Sequence, residues 1–378
     1  MYGALIGGIY GLSALIKNKV MIILLMISGI VYFVFNNLIG FDILKYIDFN
    51  CILVFICSFY LSKLFIETKF LNYLIGLIVE KCSSYRALFI CLIVFVFFVS
   101  GLVNSTVLFG ILVSLFEDVF KRNNIKFSFF IENVIISSII GSMSTFIGSN
   151  YSIMVSSYLN MNFLDFFFFD SRIGIYVISL FMLFIQIFYV NYFIKDEYFM
   201  GICEEIKVNN KYNVYLFFSY IILLLVASLF RFEYLSGIFS IICIVIGLIK
   251  NKKSFSFDYN FIIYILLFIY IGLMKNMDFI NVISNFFVNV NSTWLVYSLF
   301  FILSIILSFI FNPIFVFYFL VLLIPNVVIN TDLISMPLIY SVYFGLMAGL
   351  FKKNVKGSYG LISLMFLCSY IIIAFLYF

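Results

Sequence analysis

Three stretches of this chain, Val20–Ile39, Ala87–Val103 and Trp294–Phe311, contain no charged side chain over close to the ~20 residues a helix needs to cross a bilayer. Similar runs, shorter or interrupted, fill most of the rest. Of the 378 residues 65% are hydrophobic and only 10% charged, where a soluble domain carries about a quarter charged. A soluble core could not hide that much apolar surface, whereas a bilayer is itself an apolar solvent. The reading is an all-α polytopic membrane protein, with the lipid bilayer as its first partner.

The remaining composition excludes several function classes. Met1–Ile16 lacks a basic leader and a small-residue cleavage site, so it reads as a short first span rather than a cleavable signal. Seven cysteines show no metal-ligand spacing and there is no histidine, which argues against a zinc site and removes imidazole as a proton relay. The net charge of +5 lies in short clusters between apolar runs; it reports membrane orientation and not nucleic-acid binding. No phosphate-binding Gly loop or nucleophile elbow is present. ATP hydrolysis and enzyme chemistry are therefore not expected, and no cofactor is implied.

The chain resembles itself. YIDFNCILVFICSFY around Asp48 matches SFDYNFIIYILLFIY around Asp258, pairing Asp48 with Asp258 and Asn50 with Asn260. Ser100-Gly-Leu-Val-Asn104 matches Ser308-Phe-Ile-Phe-Asn312, and Gly141 matches Gly349, at nearly the same offset. The expected organisation is a first repeat over 1–194, a linker over 195–211 and a second repeat over 212–378. Each repeat is expected to hold a re-entrant hairpin (86–116 and 293–325) and a broken helix (127–164 and 336–357). Segment 105–116 is too short to cross after the polar Asn104-Ser105-Thr106, and 127–140 and 153–164 flank the polar stretch Gly141–Ser152. Non-helical backbone at membrane depth needs protein or a water-filled cavity around it. With this parity, all the basic residues fall on one side except Lys45, Arg172, Arg231 and Lys275, which is 18 of 22. The positive-inside rule places those 18 in the cytoplasm and both termini outside, which makes the two repeats inverted.

Three stretches carry a family resemblance. Ile47-Asp-Phe-Asn50 is similar to an "IDWN" helix opening, and Ser100-Gly-Leu-Val-Asn-Ser-Thr106 to a hairpin tip written "SAFLNNT" or "SAFLDN". Ser138-Ile-Ile-Gly-Ser-Met-Ser-Thr-Phe-Ile-Gly148, followed by Phe163-Leu-Asp-Phe166, is similar to "SNIGGTATLIG…FLDF". On these the chain resembles the ion transporter superfamily of arsenite/antimonite efflux pumps, citrate-type carriers and divalent-anion/sodium symporters. The resemblance implies a secondary active transporter of a small organic or inorganic anion, coupled to Na⁺ or H⁺. It further implies residence in the inner membrane of a bacterium and, in many relatives, a homodimer. Carried over residue by residue, it makes Asn104, Ser105 and Thr106 first-hairpin site residues. Thr145 and Gly148, with Gly141, then form the first broken-helix loop, and Asn312 the second hairpin tip; Ser144, a further site residue, inherits less because it and Ser142 stand where the family has Gly and Ala. Two departures stand out. Gly148-Ser-Asn-Tyr-Ser152 replaces a "GDPPN" stretch, and Phe351-Lys352-Lys353 replaces small residues in the second loop.

Plainer readings stand beside these. Asn104-Ser105-Thr106 can be a polar kink that satisfies its own backbone. Glu132 is the one carboxylate well inside a half-helix: a proton-coupling group, as a cation/proton antiporter would need, or a residue at the water boundary. Lys352 and Lys353 read as interfacial anchors, and Trp294 likewise. The lost prolines leave open a non-transporting scaffold that has kept only the fold.

Overall fold

A computed structural model describes all residues except 1, 17, 36–40, 105–107, 109–126, 160, 170–171, 196, 199–206, 231–233, 252–258, 275–277, 291, 331–334, 355–357 and 378. Among the described residues the architecture is helical throughout, apart from one two-residue hairpin pairing β1 (Phe168–Phe169) with β2 (Arg172–Ile173). Five helices are long and apolar enough to cross a membrane: α3 (Phe49–Glu67), α5 (Tyr85–Leu102), α8 (Ile175–Phe193), α9 (Lys211–Phe230) and α13 (Thr293–Ile310). Other helices are apolar over shorter stretches of 10–17 residues. These are α1 (Tyr2–Leu15), α2 (Lys19–Phe35), α6 (Phe127–Ser144), α10 (Leu235–Asn251), α11 (Tyr259–Met274), α14 (Pro313–Asn330), α15 (Ser335–Asn354) and α16 (Tyr359–Tyr377). The remaining helices are α4 (Phe70–Lys81), α7 (Asn150–Leu159) and α12 (Asp278–Val288). Phe35, Leu229 and Phe188 are among many large apolar side chains that stand exposed. In water such surface would demand a partner; in a multi-pass membrane protein it faces lipid.

Two compact units divide the chain, and each is discontinuous in sequence. The first takes Met1–Ile52, Phe257–Lys353 and Tyr370–Phe378; the second takes Leu53–Ser256 and Asn354–Ser369. Within the first, α11 packs on α1, α2 and α14, and α14 packs on α12 and α13. Tyrosine hydroxyls bond backbone carbonyls across this unit. Tyr10 donates to the Phe315 carbonyl at 2.6 Å and Tyr270 to that of Met26 at 3.1 Å. Between membrane helices there is little hydrophobic drive, so contacts of this kind and close packing of small residues hold the helices together. Within the second unit α5 lies against α6 and α8, and α9 against α10. The chain between α8 and α9 is tied to this unit by two backbone bonds: Tyr85 N donates to the Glu197 carbonyl at 3.0 Å, and Asn209 N to that of Thr68 at 2.9 Å.

Element positions recur along the chain. From Tyr85 to Thr293 and from Leu102 to Ile310, the two ends of α5 and of α13 are 208 residues apart, as are the starts of α6 (Phe127) and α15 (Ser335). Hydrogen bonds recur at the same spacing. Val103 N reaches the Val99 carbonyl and Phe311 N that of Leu307, each at 2.8 Å. Leu108 N reaches the Asn104 carbonyl at 3.1 Å, and Val316 N that of Asn312 at 3.2 Å.

The helix breaks differ from the sequence expectation. In the first broken helix the interruption is confined to Thr145–Ser149, so Gly141 and Ser144 belong to the helix and not to the loop. The serine hydroxyls explain this: Ser142 donates to the Ile139 carbonyl at 2.9 Å and Ser144 to that of Gly141 at 2.7 Å. Each satisfies itself inside the helix without forcing a break. In the second, α15 continues without interruption past Gly349 to Asn354. Gly349 serves a close approach here, since a Cβ at that position would lie 2.4 Å from the Ser308 carbonyl oxygen. The second hairpin is also longer than 293–325, because α14 runs through Pro325 to Asn330. Of the outgoing arm of the first hairpin only Leu108 is described.

Candidate functional site

α5 ends at Leu102 with Val103 as its cap, and the chain turns at Asn104, which is fully buried. Asn104 N donates to the Ser62 hydroxyl of α3 at 2.8 Å, and Asn104 Nδ2 donates to Asn150 Oδ1 at 3.2 Å. The hairpin tip is thereby fixed both to a spanning helix and to the first residue of α7. Thr145, where α6 stops, donates its hydroxyl to the Gly101 carbonyl. Gly148 sits in the turn, where an added Cβ would lie 2.5 Å from the Ser142 carbonyl oxygen and 2.8 Å from that of Ser100.

α7 restarts under a cap of its own. Ser149 Oγ accepts from Ser152 N at 3.1 Å, which is N-cap geometry, and the two hydroxyls lie 2.7 Å apart. Ser152 Oγ also donates to the Ser142 carbonyl at 3.2 Å, so the restarted helix is sewn to the end of α6. Asn104, Thr145, Ser149, Asn150 and Ser152 are each 5% exposed or less. Neutral amides and hydroxyls thus converge where one helix stops and another starts. In a low-dielectric setting such groups interact strongly. Their oxygens suit a hard cation, and their N–H and O–H groups, with the positive end of α7, suit a carboxylate.

All the expected site residues but two have a definite place. Asn104, Thr145 and Gly148 meet at this junction; Gly141 and Ser144 back it from the last turns of α6; Ser105 and Thr106 lie outside the described residues. Asn312 belongs to the other compact unit. Its amide oxygen accepts from Ile314 N at 3.1 Å and its own N–H donates to the Ala14 carbonyl at 3.0 Å, so it caps α14, with Pro313 at the favoured first position. Glu132 is not part of the cluster. It lies on α6 twelve residues before Ser144, about 18 Å of helix rise, and accepts from Ser358 Oγ at 2.9 Å.

Sequence reasoning missed Ser62 and Asn150 as site members. Ser58 and Ser62 sit four apart on α3 inside an apolar run, a polar stripe at helical spacing that marks a buried face. Asn150 was visible within the polar stretch Gly141–Ser152 and as a departure from the "GDPPN" pattern. Farther along α6, Gln186 of α8 donates Nε2 to the Asn133 carbonyl at 2.6 Å, and Ser137 donates to the Ile93 carbonyl of α5 at 2.7 Å.

A family model described as "CitMHS: Citrate transporter" matches residues 12–345, a span that includes the Asn104 hairpin, the α6–α7 break and α13–α14. No curated protein matches the chain. The family lies within the superfamily that the hairpin and broken-helix motifs resemble; its members are secondary transporters of citrate-type anions, not enzymes. With a match over most of its length, this multi-pass membrane protein belongs to the citrate transporter family.

Proposed function

We propose that this chain moves a citrate-type anion across the inner membrane of a bacterium in symport with Na⁺ or H⁺, through the junction of Asn104, Thr145 and Asn150. One observation carries the reading: a fully buried asparagine at a helix turn, paired with a second asparagine at a helix start, within a chain that is 65% hydrophobic. Polar groups at membrane depth are expensive and mark pathways for solutes. A discontinuous helix offers the substrate carboxylate the N-terminal end of α7 and offers a coupling ion the carbonyls around the break. The junction brings amides and hydroxyls, the ligand set of a Na⁺-type site.

The proposal includes a duplication, with repeats over 1–194 and 212–378 in opposite orientation. Support comes from the 208-residue spacing of α5 and α13 with their end-capping hydrogen bonds, and from the basic residues gathered on one side.

Purified protein in proteoliposomes should accumulate labelled citrate or a related tricarboxylate or dicarboxylate when an ion gradient is imposed. Accumulation driven by an inward Na⁺ gradient at equal pH identifies Na⁺ as the coupling ion; accumulation driven only by a pH gradient identifies H⁺. Absence of flux for every such anion under both gradients would overturn the proposal. If H⁺ is coupled through the carboxylate bonded to Ser358, Glu132→Gln should abolish pH-driven accumulation while leaving citrate exchange at equal pH intact. An unchanged pH-driven flux removes Glu132 from the mechanism.

A further inference from the structure

Away from the transport junction, the second compact unit holds a polar cavity of about 470 Å³, lined by Glu67, Thr68, Asn210, Asn213, Lys250 and Asn251. It is built from the last residue of α3, the residues just before and within the first turn of α9, and the end of α10. In the proposed orientation those ends share a side with most of the basic residues, which puts the cavity at the headgroup level of the bilayer. Its three amides are organised by one another. Asn251 Oδ1 accepts from Asn213 Nδ2 at 3.0 Å and from Asn210 Nδ2 at 3.3 Å, while Asn251 Nδ2 donates to the Gly247 carbonyl at 2.8 Å. That arrangement fixes the orientation of Asn213 and leaves its Oδ1 buried with no hydrogen-bond partner, in a side chain only 5% exposed. Asn210 adopts a left-handed backbone, φ 46°, to enter the group. An acceptor held in this way and left unmatched costs free energy unless a donor arrives.

The charges around the acceptor define that donor. Glu67 and the C-terminal ends of α3 and α10 make one part of the lining negative, while Lys250, set over the Tyr212 ring at 5.7 Å, and the N-terminal end of α9 make another positive. A lone cation meets Lys250, and a lone anion meets Glu67. A zwitterion satisfies both, provided that its cationic end carries N–H donors. We propose that this cavity binds a primary ammonium tethered to a phosphate, the chemistry of a phosphoethanolamine group. The ammonium donates toward Asn213 Oδ1 and Glu67, and the phosphate lies toward Lys250. Two sources carry this group, a phosphatidylethanolamine headgroup and the free compound in the cytoplasm.

Trimethylation separates the proposal from general lipid attraction, because a phosphatidylcholine headgroup has the same charges and no N–H. In native mass spectrometry of the delipidated full-length protein, phosphatidylethanolamine should outcompete phosphatidylcholine by about tenfold, the equivalent of one hydrogen bond to a charged group. The preference should vanish in Glu67→Gln and in Asn213→Leu. Glu67 is exposed, so its variant tests the site even if the buried Asn213 variant fails to fold. Soluble O-phosphoethanolamine is the second arm: stabilisation by it assigns the site to the free compound as well, and its failure alongside phosphatidylethanolamine binding assigns it to the lipid. Equal retention of the two lipids, or a preference that survives Glu67→Gln, overturns the proposal. Citrate flux is not needed for any of these readouts.

Discussion

Asn104→Ala is expected to lower citrate accumulation in proteoliposomes by roughly 10–100-fold while the protein still elutes as a single folded species. The substitution takes away the amide that donates to Asn150 Oδ1 at 3.2 Å and leaves the Ser62 hydroxyl bonded to Asn104 N, because that contact is made by backbone. A buried acceptor that loses its donor costs about 1–3 kcal/mol, which is roughly a factor of 5–150 in binding. The turn itself persists, since the Val103 and Leu108 hydrogen bonds on either side of it are also backbone bonds. The partner can be tested as well. If Asn104 and Asn150 act as one unit, the Asn104→Ala/Asn150→Ala double variant should lose little more than either single one, and a fully additive loss would show that they act separately. Wild-type flux in Asn104→Ala would remove the hairpin tip from the site.

Gly141→Val is expected to force α5 and α6 apart and to destabilise the protein. A Cβ at Gly141 would lie 2.2 Å from the Phe97 carbonyl oxygen, 2.4 Å from Ser100 Oγ and 2.8 Å from Phe97 Cα. Two of these three atoms are backbone, so the clash is relieved only by moving the helices apart. Overpacking of this kind costs about 1–3 kcal/mol, and more where backbone must shift. With an unfolding entropy of about 2.1 cal/mol/K per residue, 378 residues give roughly 1.3 °C per kcal/mol, so the upper figure corresponds to a fall in Tm of about 4 °C. Gly8 supplies the control, because a Cβ there meets nothing within 4 Å. Gly8→Val should melt like wild type. A Gly141→Val protein that melts with it would show that the two helices are not in this register.

The sequence was informative where chemistry is scarce. In a chain with 10% charge, short polar stretches between apolar runs are landmarks, and Asn104, Thr145 and Gly148 could be picked out because they lie in such stretches and match the family's motifs there. The family resemblance rests on the same landmarks and agrees with the family match. What the sequence hid was partnership and extent. Ser62 lies 42 residues from Asn104, and Asn150 lies 46 residues away; no local pattern encodes such pairs. Helix ends were misplaced because a serine reads as a breaker on paper. Ser142 and Ser144 instead turn their hydroxyls back onto their own helix. Gly349 misled for a related reason: it looks like a hinge, whereas in α15 it leaves room for the Ser308 carbonyl. Asn312 was read for function, and the structure shows its amide already used as a cap.

The bond from Tyr10 to Phe315 joins residues 305 positions apart, and this separation matters during synthesis. At about 5–20 residues per second a ribosome needs roughly 15–60 s to make that much chain. For all of that interval α1, only 14 residues long, has been made while its partner α14 has not. A helix so short holds its place in lipid weakly by itself. Assembly of this protein therefore includes a waiting period in which α1 depends on α2 or the insertion machinery, and slowing translation between residues 20 and 310 should lower the yield of folded protein.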